Sequence, residues 1–187
     1  PAQRNILARI GFDYTLNDKT VIGGLISGYD NKWSMDAMNQ NSIAINGAVD
    51  TLVQIKNDEI NHWKHFMANL NLQHDFDESS QINLNADYLY YHDDNPTNYI
   101  NSYFNAENNF LFENQTRSGK ITPISIWVGT ADYSKSFGEK VKLQAGLKWT
   151  LSTFENDVSA DMLISGTWMN DEMLTNSSTL NEKIGAS

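Results

Sequence analysis

The residues best suited to chemistry in this sequence are four histidines, since the chain contains no cysteine. His62 and His65 stand three apart, a spacing that lets two imidazoles share a metal ion when they lie on a helix. On a strand the same spacing places them on opposite faces, so we predict no metal site and no cofactor there. His74 is interpreted as a turn-end residue and His92 as the start of a solvated loop.

Acidic clusters are the second group that could do chemistry. Residues 155–157 (Glu-Asn-Asp) and 170–172 (Asn-Asp-Glu) offer oxygen ligands that suit calcium, although neither has the EF-hand spacing. A pair of carboxylates for glycoside hydrolysis has no distinguishing mark in the sequence. There is no Gly-rich phosphate loop, Gly-x-Ser-x-Gly elbow or Walker lysine. We therefore predict that the chain is not an enzyme and has no catalytic residues.

Charge and hydropathy limit the possible partners. The 187 residues carry a formal net charge of -10, whereas a nucleic-acid binder needs a basic surface to neutralise phosphates. No run of about 18 apolar residues is present, so no transmembrane helix is predicted. We treat residues 1–187 as a single segment, and both ends are expected to be cut from a longer chain.

The elements that must position these residues are strands, because apolar and polar side chains alternate with a period of two. If residues Gln81 to Tyr91 form a strand, one face is apolar and the other mainly polar. A helix would scatter the same apolar residues around its axis. The apolar face holds Ile82, Leu84, Ala86, Tyr88 and Tyr90; the polar face includes Asn83, Asn85 and Asp87.

Three predicted hairpins organise the chain, with short turns near Asp18, Glu78 and Gly138 and arms of about ten to twelve residues. Between them lie polar stretches at residues 31–61, 93–120 and 154–178, which we interpret as long loops. Short turns alternating with long loops are typical of transmembrane barrels. The predicted fold is therefore all-β: an antiparallel meander of long hairpins, part of a transmembrane β-barrel, with about six to seven strands.

A soluble β-sandwich binding module, carbohydrate-directed or adhesin-like, is the alternative, because its strands alternate in the same way. Loops of this length favour the barrel, since they are uncommon inside compact soluble domains. The aromatics favour it too, because we expect them toward strand ends, where interfacial girdles form. They are Phe12, Tyr14, Tyr88, Tyr90, Tyr133 and Trp149.

Several short motifs resemble one known family. Residues 10–20 (IGFDYTLNDKT), 69–76 (NLNLQHDF), 131–133 (ADY) and 141–148 (VKLQAGLK) occur in an order and spacing similar to the barrel of TonB-dependent receptor-like outer-membrane proteins of Bacteroidetes. Residues 166–172 and 181–184 continue the resemblance, which therefore covers nearly the whole chain.

The resemblance implies a plugged barrel of about 22 strands that takes up an extracellular ligand. Its partners would be outer-membrane lipid and, through parts that this chain lacks, the TonB system. The location would be the outer membrane of a Gram-negative bacterium. The chain would supply about six strands and the start of a seventh. We predict that the isolated segment self-associates by dimerising face to face, or rolls into a smaller closed sheet. The family offers no catalytic residues, and the sequence does not identify the ligand.

Polar side chains of the strands would line the barrel interior. Either they meet a plug or a solute, or they are simply hydrated, and hydration is the favoured interpretation. These residues are Asn69, Asn71, Asn83, Asn85 and Asp87.

Overall fold

The computed structural model describes residues 1–187 as eight antiparallel strands, with no helix that could cross a membrane. The strands are β1 (Ala2–Asn17), β2 (Thr20–Ile45), β3 (Ala48–Asp77), β4 (Ser80–Asn105), β5 (Phe110–Phe137), β6 (Val141–Ile164), β7 (Thr167–Asn170) and β8 (Asn176–Ala186). Each strand from β1 to β6 pairs with the strand that follows it in sequence, so the sheet is an open meander, as predicted.

The seventh strand of this meander is interrupted. Both β7 and β8 pair with β6, where β7 lies opposite Asp161–Ile164 and β8 opposite Lys148–Val158. Extra residues between β7 and β8 shift the register by an odd number, which exchanges the two faces of the strand. As a result Lys183 of β8 lies opposite Leu151. The prediction of six strands and the start of a seventh is confirmed.

The prediction of long polar loops is wrong. Residues 31–61, 93–120 and 154–178 lie mostly in strands, and β2 to β6 are 24 to 30 residues long instead of ten to twelve. Their Asn, Ser, Thr and Asp side chains suggested loops, but each strand finds a partner along its whole length. His92, which we placed in a loop, lies inside β4.

Two of the turns at the opposite end of the sheet from the three short turns have the geometry of tight hairpins. Asn46 and Gly47 have φ values of 51° and 83°, and Ser165 and Gly166 have φ values of 51° and 79°. Positive φ at both central residues is the signature of a two-residue type I′ turn, for which Asn-Gly is the strongest sequence signal. Asn46-Gly47 was therefore a readable sign that residues 31–61 form a hairpin.

The cross-strand register sorts the side chains into two faces. One row runs Ile10, Ile26, Ala68, Tyr88, Trp127 and Leu151 across six strands. Only 11 of 187 residues are buried, and the hydrophobic ones among them are Val53 and Ala160. A single layer with so little buried apolar surface has no second sheet packed against it, so the β-sandwich alternative is wrong.

Candidate functional site

One face of the sheet carries an apolar band, which we define as the rows of side chains from the level of Phe66 to that of Phe76 in β3. Its large side chains are open to the surroundings: Ile10 is 74% exposed, Leu70 62% and Leu147 64%. Between the levels of Phe66 and Leu72, no side chain of β1 to β6 on this face is charged. A contiguous exposed apolar surface of this kind needs an apolar partner.

The height of the band matches the hydrocarbon layer of a membrane. Residues 66–76 span about 33 Å of strand at roughly 3.3 Å per residue. At a tilt of about 45° this corresponds to about 23 Å, close to the height of about 25 Å of the apolar band of outer-membrane barrels. Charged side chains begin in the row directly beyond Phe66, where Asp30, Lys64 and Glu155 share the same face.

Aromatic side chains mark the two borders of the apolar band. Tyr88 and Trp127 lie near the far border with ring centroids 4.5 Å apart, and Phe76 and Tyr133 lie near the short turns at 6.3 Å. Not every predicted girdle residue lies at a border. Phe12 and Trp149 fall in the middle row of the band, the row of Leu70, so their placement at strand ends was wrong.

The opposite face of the same strands is a hydrogen-bonded polar surface. The Asn69 amide donates to Asp87 at 2.6 Å, and the Asn71 amide donates to Asn69 at 3.0 Å. Asn85 donates to the Thr130 hydroxyl at 3.4 Å. The predicted polar residues therefore share one surface on the side away from the apolar band.

The glycines of β2 fit this two-faced arrangement. A Cβ on Gly23 would lie 2.6 Å from an oxygen of Asp13 and 2.6 Å from an oxygen of Asn71 on the polar face. A Cβ on Gly24 would lie 2.6 Å from the Phe12 ring on the apolar face. The absence of a side chain at Gly23 and Gly24 therefore relieves crowding on both faces of β2.

Beyond the band, the polar face holds an ion pair that sequence analysis missed. Asp93 is 2% exposed, and its Oδ2 lies 3.3 Å from the Lys120 Nζ. The adjacent Thr122 donates to Asn156 at 3.0 Å. Asp93 and Lys120 lie on different strands, so only the register of β4 against β5 brings them together, and no local sequence signal identifies the pair.

The first two histidines lie on opposite faces, as the strand pattern predicted. His62 Nε2 lies 2.9 Å from an Asp30 carboxylate oxygen, whereas the His65 ring stacks on Tyr91 with centroids 4.4 Å apart. The hydrogen bond from His62, followed by that from Arg4, holds the pKa of Asp30 below its ordinary value. No group of three or more His, Asp or Glu side chains is arranged to hold a metal ion.

The other two histidines have neighbours in the sheet. His74 Nδ1 lies 2.8 Å from the Thr20 hydroxyl, and its ring meets Phe76 edge-on. His92 Nδ1 lies 3.5 Å from the Tyr90 hydroxyl, so it is part of the strand surface and not of a loop.

Within each of the two acidic segments, the polar side chains have different partners or lie on different faces. Within residues 155–157, Asn156 points to the polar face toward Thr122, while its two acidic neighbours occupy the other face of the strand. In residues 170–172, Asn170 donates to Asp161 at 3.2 Å and Asp171 accepts the Met173 amide at 3.0 Å. Each segment therefore uses its polar atoms in local hydrogen bonds or spreads them over two faces.

Asp161 takes part in contacts that hold β5, β6 and β7 together beyond the apolar band. The Arg117 guanidinium donates to its carboxylate at 2.8 Å and lies over the Trp168 ring at 4.5 Å. These hydrogen bonds, from Arg117 first and Asn170 second, keep the pKa of Asp161 low. The ion pair and the ring contact join β5, β6 and β7 well beyond the apolar band.

Comparison with known proteins yields one family. Residues 74–187 match the profile of the outer membrane protein beta-barrel family, which is more than half of the chain. No curated protein matches the sequence.

Proposed function

Since this chain belongs to the outer membrane protein beta-barrel family, we propose that it is the wall of a receptor-like barrel that takes up an extracellular ligand. The protein is a membrane barrel protein of the outer membrane of a Gram-negative bacterium. The observation that carries the proposal is the apolar band, whose rows between Phe66 and Leu72 are uncharged from β1 to β6, backed by a polar face. It combines a wall that lipid covers with a surface that water or solute wets.

Uptake would follow the arrangement of TonB-dependent receptor-like proteins of Bacteroidetes. The sheet is open and has seven strand positions, so it would form an arc of a wider barrel of about 22 strands. The polar face, with Asn69, Asn71 and Asp87, would line the interior beside a plug or a solute. Energy would come from the TonB system through parts outside this chain. We propose no catalysis and no nucleic-acid partner for this wall.

The proposed orientation places the three short turns in the periplasm and the long hairpins outside the cell, as in other outer-membrane barrels. A single cysteine at Asn46 should react with an impermeant maleimide on intact cells, whereas one at Glu78 should react only after the outer membrane is opened. The reverse labelling pattern would show that the orientation is wrong.

The lipid-facing assignment is tested by a pair of lysine substitutions on neighbouring positions of β3. Leu70→Lys puts a charge in the middle row of the band, where it should cost about 2–4 kcal/mol and reduce the folded protein in the outer membrane. Asn69→Lys adds the same charge to the polar face and should fold normally. Equal losses in both variants would contradict the assignment of the faces.

Uptake itself needs a separate measurement because the ligand is unidentified. We expect mass spectrometry of spent medium to show at least one compound that wild-type cells deplete. Cells without this protein, and cells without a working TonB system, should leave that compound in the medium. Identical spent media would contradict uptake without affecting the assignment to the membrane.

A further inference from the structure

The hairpin ends farthest from the short turns expose large apolar side chains, although they lie well beyond the apolar band. We define the tip surface as Ile45, Val49, Phe110, Leu111 and Phe112. These residues are between 47% and 59% exposed. Val49 is separated from Phe66, at the border of the band, by roughly 56 Å of strand, so membrane lipid does not cover the tip surface.

The tip surface is continuous between the β2–β3 hairpin and the β4–β5 hairpin, and neighbouring side chains hold its aromatic rings in place. The ladder of β3 and β4 extends to the pair Thr51 and Asn105, so the Ile45 turn lies beside the Phe110 loop. Phe112 stacks on Tyr103 with centroids 4.4 Å apart, and Phe110 meets Phe104 edge-on at 5.9 Å. Exposed aromatic rings held in place by neighbours lose little entropy when they bind, as at interface hot spots.

The charge around the tip surface has one sign. Residues 41–55, 99–116 and 159–175 contain six acidic side chains and no lysine or arginine. The full hairpin regions, residues 30–64, 92–122 and 154–178, hold 14 acidic and five basic residues. They therefore carry -9 of the net charge of -10, and the remaining strands and short turns are nearly neutral.

We propose that the tip surface docks a cationic amphipathic polypeptide. An exposed apolar patch on an ordered element marks an interaction surface. The acidic field around it attracts a positively charged partner and repels anionic ones, such as nucleic acid or the phosphates of lipid headgroups. The proposal depends on the orientation given above, which the maleimide labelling tests separately, and not on uptake.

The test uses the full-length protein in phosphatidylcholine vesicles, with binding to empty vesicles subtracted. Three fluorescent peptides of equal length serve as probes: an amphipathic Lys/Leu helix, a Lys/Ser peptide of the same charge, and a Glu/Leu helix of the same apolarity. We expect the Lys/Leu peptide to bind best, at least about tenfold more tightly than either of the others, because it alone matches both charge and apolarity.

Two variants and a matched control locate the binding. Phe110→Ser with Phe112→Ser removes apolar contacts, and Glu107→Gln with Glu113→Gln removes charge. Each should weaken the binding of the Lys/Leu peptide about tenfold. The control, Asp18→Asn with Glu139→Gln, removes two charges at the short turns and should change nothing. Circular dichroism on all three variants checks that they are folded.

Three outcomes would overturn the proposal. The first is no binding of the Lys/Leu peptide above that to empty vesicles, and the second is equal binding of the Glu/Leu peptide. The third is self-association of the vesicle-bound protein that the Phe110 and Phe112 changes abolish, because a second copy would then be the occupant of the tip surface. Failure of uptake alone leaves the peptide result standing.

Discussion

At the scale of single residues, side chains from neighbouring strands occupy the space above two glycines of β2, one on each face of the sheet. Asp13 and Asn71 lean over Gly23 from the neighbouring strands, and Phe12 covers Gly24 from the other side. Gly129 lies in the same row as Gly24, but nothing lies within 4 Å of the position of its Cβ. The space for a side chain is therefore occupied by neighbouring side chains at Gly23 and Gly24, and open at Gly129.

We expect Gly23→Ala to destabilise the folded protein by about 1–3 kcal/mol. The added methyl must displace Asp13 and Asn71, which also breaks the hydrogen bond from Asn71 to Asn69. Gly129→Ala is the matched control and should be neutral or slightly stabilising, because alanine loses less backbone entropy than glycine. Urea unfolding of both variants in vesicles measures the difference. A larger loss for Gly129→Ala would contradict this account of the crowding.

The Asp30 cluster at the edge of the membrane should respond to pH. His62 first, and Arg4 second, lower the pKa of Asp30 below its unfolded value. Such a group stabilises the folded state above about pH 4, and the stabilisation is lost as the pH falls through the lowered pKa. Carbon-13 NMR of the Asp30 carboxyl should show that His62→Gln raises its pKa more than Arg4→Gln does. A larger effect of Arg4→Gln would show that the order of the two causes is wrong.

At the scale of elements, the sequence was most informative where membrane and water impose different demands on the two faces. Alternation at Ile82 to Tyr90 predicted β4 and its facing, and the three short turns were also predicted. Beyond the band both faces meet water, so residues 31–61 lose the contrast that reveals a strand. Only the Asn46-Gly47 turn signal remained there. The Asp93–Lys120 pair depended on inter-strand register, which alternation does not supply.

The β2–β3 hairpin beyond the band should unfold separately from the part inside it. Gly47→Val places a β-branched residue at a φ of 83°, which costs about 1–2 kcal/mol or more. Hydrogen exchange should then accelerate at residues 36–45 and 48–58, while residues 66–76 stay protected. Gly129→Val is the control on extended backbone. Loss of protection across the whole of β3 would show that the hairpin and the band form one cooperative unit.

At the scale of the whole molecule, the sheet has three surfaces that need partners. They are the apolar band, the free edge of β1 and the free edge formed by β7 and β8. In a closed barrel lipid covers the first, and further strands pair with the other two. The acidic charge of the hairpins lies beyond the band, so it does not make the exposed apolar rows between Phe66 and Leu72 soluble in water.

We therefore expect the 187-residue chain by itself to self-associate in detergent-free buffer. Light scattering after size-exclusion chromatography should show a dimer or larger species that changes size when detergent covers the band. Replacing Leu70, Leu84 and Leu147 with serine removes exposed apolar area and should weaken the association. Replacing Asn69, Asn83 and Asn85 with serine on the polar face is the control. A monomer indifferent to detergent would mean that the apolar side chains already share a closed core, and the open sheet would then be wrong for the isolated chain.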